Sequence, residues 1–121
     1  MKIKITWKAF GDKPEIWRFV SSVEFDFYGF VGQEAGTIAD ESIMNAIYRD
    51  TNCYRGLFWN KIEPMLSPTR THTALSIGDE IEIDGTAYVV ADFGFVKKEE
   101  AEIKMHGDVT FSVTKRKEVA V

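Results

Sequence analysis

A chain of 121 residues that is 45% hydrophobic and 13% aromatic can bury one core but not two, and it carries far more aromatic rings than a disordered tail. Its net charge of −4 is unevenly spread: residues 1–20 carry Lys2, Lys4, Lys8, Lys13 and Arg18 against Asp12 and Glu15, whereas residues 21–98 hold twelve acids against six bases. An acidic chain repels a phosphate backbone unless its bases gather on one face, so direct nucleic-acid binding is not expected.

No apolar run approaches the roughly 20 residues that cross a bilayer, and "MKIKITWKAF" alternates instead of forming a signal-peptide core. The expectation is a soluble, cytoplasmic protein without a membrane partner. No Pro/Gly/Ser-rich linker divides the chain, so residues 1–121 read as a single domain.

In chain order, "KIKITWKA" places Ile3, Ile5, Trp7 and Ala9 on one face and Lys2, Lys4, Thr6 and Lys8 on the other, the period of a half-buried strand. "PEIWRFVSSV" fits helical spacing through Ile16, Phe19, Val20 and Val23, and Pro14 near a first turn favours a helix over a strand. "VEFDFYGFVG" sets Val23, Phe25 and Phe27 against Glu24 and Asp26, a strand broken near Gly29 and Gly32.

"ADESIMNAIYRDTN" predicts a helix: Asp40 can cap orphan N–H groups, Glu41 suits the positive first turn, and Ile43, Met44, Ile47 and Tyr48 form one apolar stripe. After it, "CYRGLFWNKIEPMLSPTRTHT" mixes aromatics with Gly56, Pro64 and Pro68 and reads as an extended, partly ordered connection. Trp7, Trp17 and Trp59 are expected in the core or at its edge, with Trp59, among breakers, the one of the three most open to exposure.

"EIEID" sets Ile81 and Ile83 against Glu80, Glu82 and Asp84; Asp84-Gly85 is a two-residue hairpin signal, and "TAYVVAD" returns as the partner strand. "SIGD" reads as a loop in which Gly78 supplies a special backbone conformation and Asp79 bonds nearby N–H groups. "AEIKM" and "VTFSVTK" flank His106-Gly107-Asp108 as a last hairpin. The fold class is therefore α+β, a mostly antiparallel sheet of about five or six strands packed with one or two helices.

The segment "HTALSIGDEIEIDGTAYVVADFGFVKK" resembles the SxSVGD…DGxxYxVxxxGF signature shared by YodL-like segments and by many small proteins of bacteriophages and mobile elements. In such proteins the signature often follows an Asn-bearing helix end, matched by Asn52, and a Trp-containing linker, matched by Trp59. The similarity spans about residues 44–98, with Ala74 and Ile77 where Ser and Val are commoner. It implies a phage or mobile-element accessory protein and assigns no reaction.

The chemistry-bearing residues point the same way. Cys53 is the one cysteine, and neither His72 nor His106 forms a recognisable motif with it, so a partly buried structural thiol is expected rather than a nucleophile. Two distant histidines make no metal set, and "GFVGQEAG" lacks the spacing of a phosphate-cradling loop; neither metal nor cofactor is implied. With no positioned nucleophile, base or metal, an enzyme is not the leading expectation. That expectation is a non-enzymatic protein that binds a host protein of basic surface through Glu80, Glu82, Asp84 and Trp59. Its sharper form is an inhibitor of a host defence enzyme, because an acidic face can occupy a basic nucleic-acid channel. The alternative is a small-ligand or nucleotide-binding module built on Arg70, His72, Ser76 and Asp79.

Overall fold

The computed structural model describes residues 1–7, 22–27, 40–66, 74–106 and 110–116. In chain order these form β1 (Lys2–Thr6), β2 (Ser22–Asp26), α1 (Asp40–Cys53), α2 (Leu57–Ile62), β3 (Glu80–Ile83), β4 (Thr86–Val90), β5 (Phe95–Lys97), β6 (Ala101–His106) and β7 (Thr110–Lys115). Single 3₁₀ turns occupy Glu63–Met65 and Lys98–Glu100. The chain is α+β, but its strands divide: β2-β1-β3-β4-β5 make one antiparallel sheet, and β6-β7 make a separate two-stranded one.

Strand register explains which face is buried. Val23, Ile5, Ile81 and Tyr88 lie side by side across β2, β1, β3 and β4, and Phe25, Ile3 and Ile83 form the next row. Ile3, Ile5 and Ile81 have no solvent exposure, and they share one core with Ile43, Met44 and Ile47 of α1 and Phe58 and Ile62 of α2. Each such isoleucine contributes about 1.5–3 kcal/mol by leaving water. The opposite face carries Glu24, Lys4, Glu82 and Ala87 in one row.

Helix α1 matches its expected span to within a residue, yet the stripe is narrower than the sequence suggests. Ile43, Met44 and Ile47 are buried, while Tyr48 is exposed and meets Phe95 edge-on at 6.4 Å between ring centroids. Cys53, expected to be partly buried, is the last residue of α1 and is exposed.

The connection after α1 is more ordered than expected. Tyr54 adopts φ 57, and its N–H still donates to the carbonyl of Asp50 at 2.9 Å, which ends α1 in a left-handed residue. Six-residue α2 is too short to persist on propensity alone. Asp50 holds it: the carboxylate is buried, and Oδ2 accepts the Phe58 N–H at 3.0 Å at the helix N-terminus, where negative charge is favoured. The Arg49 guanidinium lies 3.1 Å from Oδ1. Gly56, φ 115 and ψ 174, makes the approach possible, since a Cβ there would coincide with the Asp50 carboxylate.

Trp59 is consequently buried, at 4% exposure, with the Tyr54 ring edge-on at 5.4 Å. A place in the core is among its expected ones, but its assignment to a partner contact is corrected: the helix turns it inward beside Phe58, whose ring lies 4.4 Å from that of Phe27. Strand β5 carried no periodic signal, being only three residues long. The expected helix over Pro14–Val23 lies outside the described residues except for Ser22 and Val23, which begin β2.

Candidate functional site

The signature residues "SIGD", "DG", Tyr88 and Gly94 are spread along the β3–β4 hairpin and its two ends, where each has a structural task. Gly78 adopts φ 100 and its N–H donates to the Val90 carbonyl at 2.9 Å. Asp79 is buried; its Oδ2 accepts the Ser76 N–H at 2.8 Å while its own N–H donates to the Ser76 carbonyl at 3.0 Å. The Asp79 carbonyl accepts the Val90 N–H at 2.8 Å, so the loop is laced to β4 on both sides. Asp84 and Gly85 take φ 46 and φ 90, the left-handed pair that a two-residue hairpin needs.

Tyr88 ties this hairpin to α1. Its hydroxyl donates to Asp40 Oδ2 at 2.7 Å, which, with burial and the Asp40 charge, pushes the phenol up to about 12. Asp40, expected as a helix cap, is the first residue of α1, and its carboxylate accepts this cross-link from the sheet.

The acids of β3 are less free than a solvated stripe would be. Glu80, with a side chain 13% exposed, meets Lys98 Nζ at 3.0 Å. Glu82 lies opposite Lys4 in register and is half-buried. Asp84 Oδ1 accepts the Lys2 N–H at 2.7 Å and thereby fixes the start of β1. Lys4, Thr6, Glu80, Glu82, Ala87 and Lys98 line a shallow depression of about 270 Å³ on this face. Of the other expected site residues, Ser76 and Asp79 serve loop closure, and Arg70 and His72 lie outside the described residues. Among the described residues no group of three or more His, Cys, Asp or Glu side chains gathers to hold a metal ion. No described helix is long and apolar enough to cross a membrane.

The turn between β4 and β5 was not singled out from the sequence. The Ala91 N–H donates to the Gly94 carbonyl at 2.9 Å and Gly94 takes φ 68, closing a tight turn with Asp92 and Phe93 at its tip. Asp92 faces β7: its N–H donates to the Val113 carbonyl, its Oδ1 accepts the Val113 N–H, and its Oδ2 accepts the Ser112 hydroxyl, each at 3.0 Å. Phe93 points away and is 94% exposed. A phenylalanine where turn chemistry favours Gly, Asn or Ser is a local misfit, and that misfit was the legible signal in "ADFGF".

No family model, curated protein or solved structure matches this chain.

Proposed function

We propose that this chain is a non-enzymatic binding protein that engages another protein with Phe93 as its hydrophobic anchor. The observation that supports this reading is the pairing of near-complete exposure with a fixed backbone: Phe93 is 94% exposed on a turn held by the Ala91–Gly94 bond and by three bonds from Asp92 to β7. Isolated exposed apolar residues are common and need no explanation. A large ring presented on a pre-ordered turn is different, because its burial in a partner's pocket costs little further ordering.

The resemblance to phage and mobile-element proteins supports a host protein as the partner, and a host defence enzyme as the sharper form of that proposal. Of the acids first assigned to the contact, Glu80 pairs with Lys98 and Asp84 accepts the Lys2 backbone N–H, and the apolar turn takes their place as the centre of the proposed epitope. A small polar ligand in the depression beside Glu80 and Glu82 is the second reading. Ligand sites run to about 300–1,000 Å³ and are mostly apolar, and this depression falls short on both counts. Affinity capture from bacterial host lysate with native and Phe93→Ala protein tests the proposal. A partner held equally by both proteins refutes Phe93 as the anchor.

A further inference from the structure

We propose that the corner joining α1 to α2 is a second contact surface, on which Arg49, Tyr54, Arg55, Leu57 and Lys61 take an acidic protein segment bearing an apolar side chain. It stands independently of Phe93 and of the binding role proposed above.

Backbone strain marks the corner first. A helix that ends in a left-handed residue usually places Gly or Asn there, because a side chain is crowded at positive φ. This chain places Tyr54 there, at φ 57. Residues 52–57 are all exposed, and Tyr54 and Leu57 are each more than half exposed. The edge-on contact with Trp59 steadies the Tyr54 ring while most of it stays in solvent. An unfavourable backbone state kept beneath an exposed ring is the kind of local misfit that function retains.

The corner is also fixed in place. One residue ties both sides of it: the Asp50 carbonyl accepts the Tyr54 N–H at 2.9 Å, and the buried Asp50 carboxylate accepts the Phe58 N–H at 3.0 Å. Apolar groups ordered in this way lose little further freedom when a partner covers them.

Charge gives the chemistry of the partner. The whole chain carries −4, yet residues 49–61 hold three bases, Arg49, Arg55 and Lys61, and one acid, Asp50. That acid is buried against Arg49, whose side chain is 70% exposed, so the guanidinium is held at the surface with N–H donors to spare. Arg55 and Lys61 are exposed, and Lys61 follows Leu57 by one turn of α2. Tyrosine and arginine around an apolar side chain are the residues on which protein contacts centre. Three bases fall well short of the roughly 6–10 phosphate contacts of a strong nucleic-acid binder, and Leu57 offers a base no ring to stack on. A polypeptide carrying carboxylates is the better match.

Selection of a random-peptide display library on the full chain, with fluorescence anisotropy of the selected peptides, tests this. Peptides rich in Asp and Glu around a Leu, Phe or Met are expected. Their Kd rises about tenfold or more with Leu57→Ser and with Arg55→Glu, stays unchanged with Phe93→Ala, and rises with salt. Tyr54→Asn, which tolerates the left-handed angle, weakens binding as much while its urea midpoint stays at or above that of the native protein. The proposal is overturned by a library that yields no binder or binders without acidic bias, or by peptides held equally by the Leu57, Arg55 and Tyr54 variants. A labelled oligonucleotide bound more tightly than any selected peptide overturns it too, as does a Tyr54→Asn midpoint well below the native one, which would make the ring a support for Trp59. Loss of peptide binding at this corner and loss of partner capture on Phe93→Ala are read independently.

Discussion

Substituting Gly56 probes the α1–α2 junction most sharply, because two separate costs coincide there. Its backbone, φ 115 and ψ 174, lies in a region essentially reserved for glycine, and forcing alanine into it costs about 1–3 kcal/mol. The added Cβ also lands on the Asp50 carboxylate. Displacing that carboxylate strips the buried Phe58 N–H of its acceptor, worth about another 1–2 kcal/mol. Gly56→Ala therefore costs about 2–5 kcal/mol, a large part of the roughly 5–15 kcal/mol that holds a domain folded. Gly85→Ala is the reference: φ is 90 and nothing lies within 4 Å of its added Cβ, so only backbone strain of about 1–2 kcal/mol is expected. In an Asp50→Ala background both the clash and the cap are already gone. Gly56→Ala should then cost strain alone, giving a coupling of about 1–2 kcal/mol in the double-mutant cycle. Urea unfolding followed by circular dichroism measures all four proteins. A Gly56→Ala cost no larger than that of Gly85→Ala, or strict additivity in the cycle, refutes the reasoning.

Two further outcomes follow from side chains that join elements. The Tyr88 phenol, raised from 10.0 to about 12 by its bond to Asp40, by burial and by the Asp40 charge, is held protonated in the folded state. Its contribution is complete below pH 10 and is lost as pH rises from 10 towards 12. Tyr88→Phe should remove that part of the alkaline decline and cost about 1 kcal/mol at neutral pH, read from urea midpoints across pH; an unchanged decline contradicts it. Glu80→Lys sets an ammonium beside Lys98 in a side chain only 13% exposed, and should lower stability by about 1 kcal/mol or more, with Lys98→Glu restoring most of the loss. Full stability of the single reversal would contradict a stabilising role for the Glu80–Lys98 pair.

Where one strand face was apolar and the other charged, the sequence was readable. The alternation of Ile3 and Ile5 with Lys2 and Lys4, and of Ile81 and Ile83 with Glu80 and Glu82, gave strands whose buried faces the register bears out. Asp84-Gly85 located its hairpin because few residues accept left-handed angles twice in succession. Illegible parts depended on partners distant in sequence. Helix α2 lacks the length to show a period, and its cap is Asp50, eight residues before the Phe58 N–H that it accepts. The fate of Trp59 depended on that cap, so a stretch rich in breakers looked irregular and its tryptophan looked the most open of the three. Charge listing leaves out cross-strand neighbours: Glu80, Glu82 and Asp84 form an acidic stripe along the chain, while Lys4 stands opposite Glu82 in register, Lys98 meets Glu80 and the Lys2 N–H bonds Asp84. Phe93 was missed because β5 is too short to announce the turn before it.

Quantitative affinity capture from bacterial host lysate, run in parallel with native and Phe93→Ala proteins, tests the central claim most directly. Truncating an anchor of this kind costs roughly 2–4 kcal/mol of binding, about thirtyfold or more in Kd. One partner recovered by the native protein and lost with Phe93→Ala, with both equally folded, is the result expected. Recovery of that partner undiminished by Phe93→Ala, or no partner specific to the native protein, would contradict it.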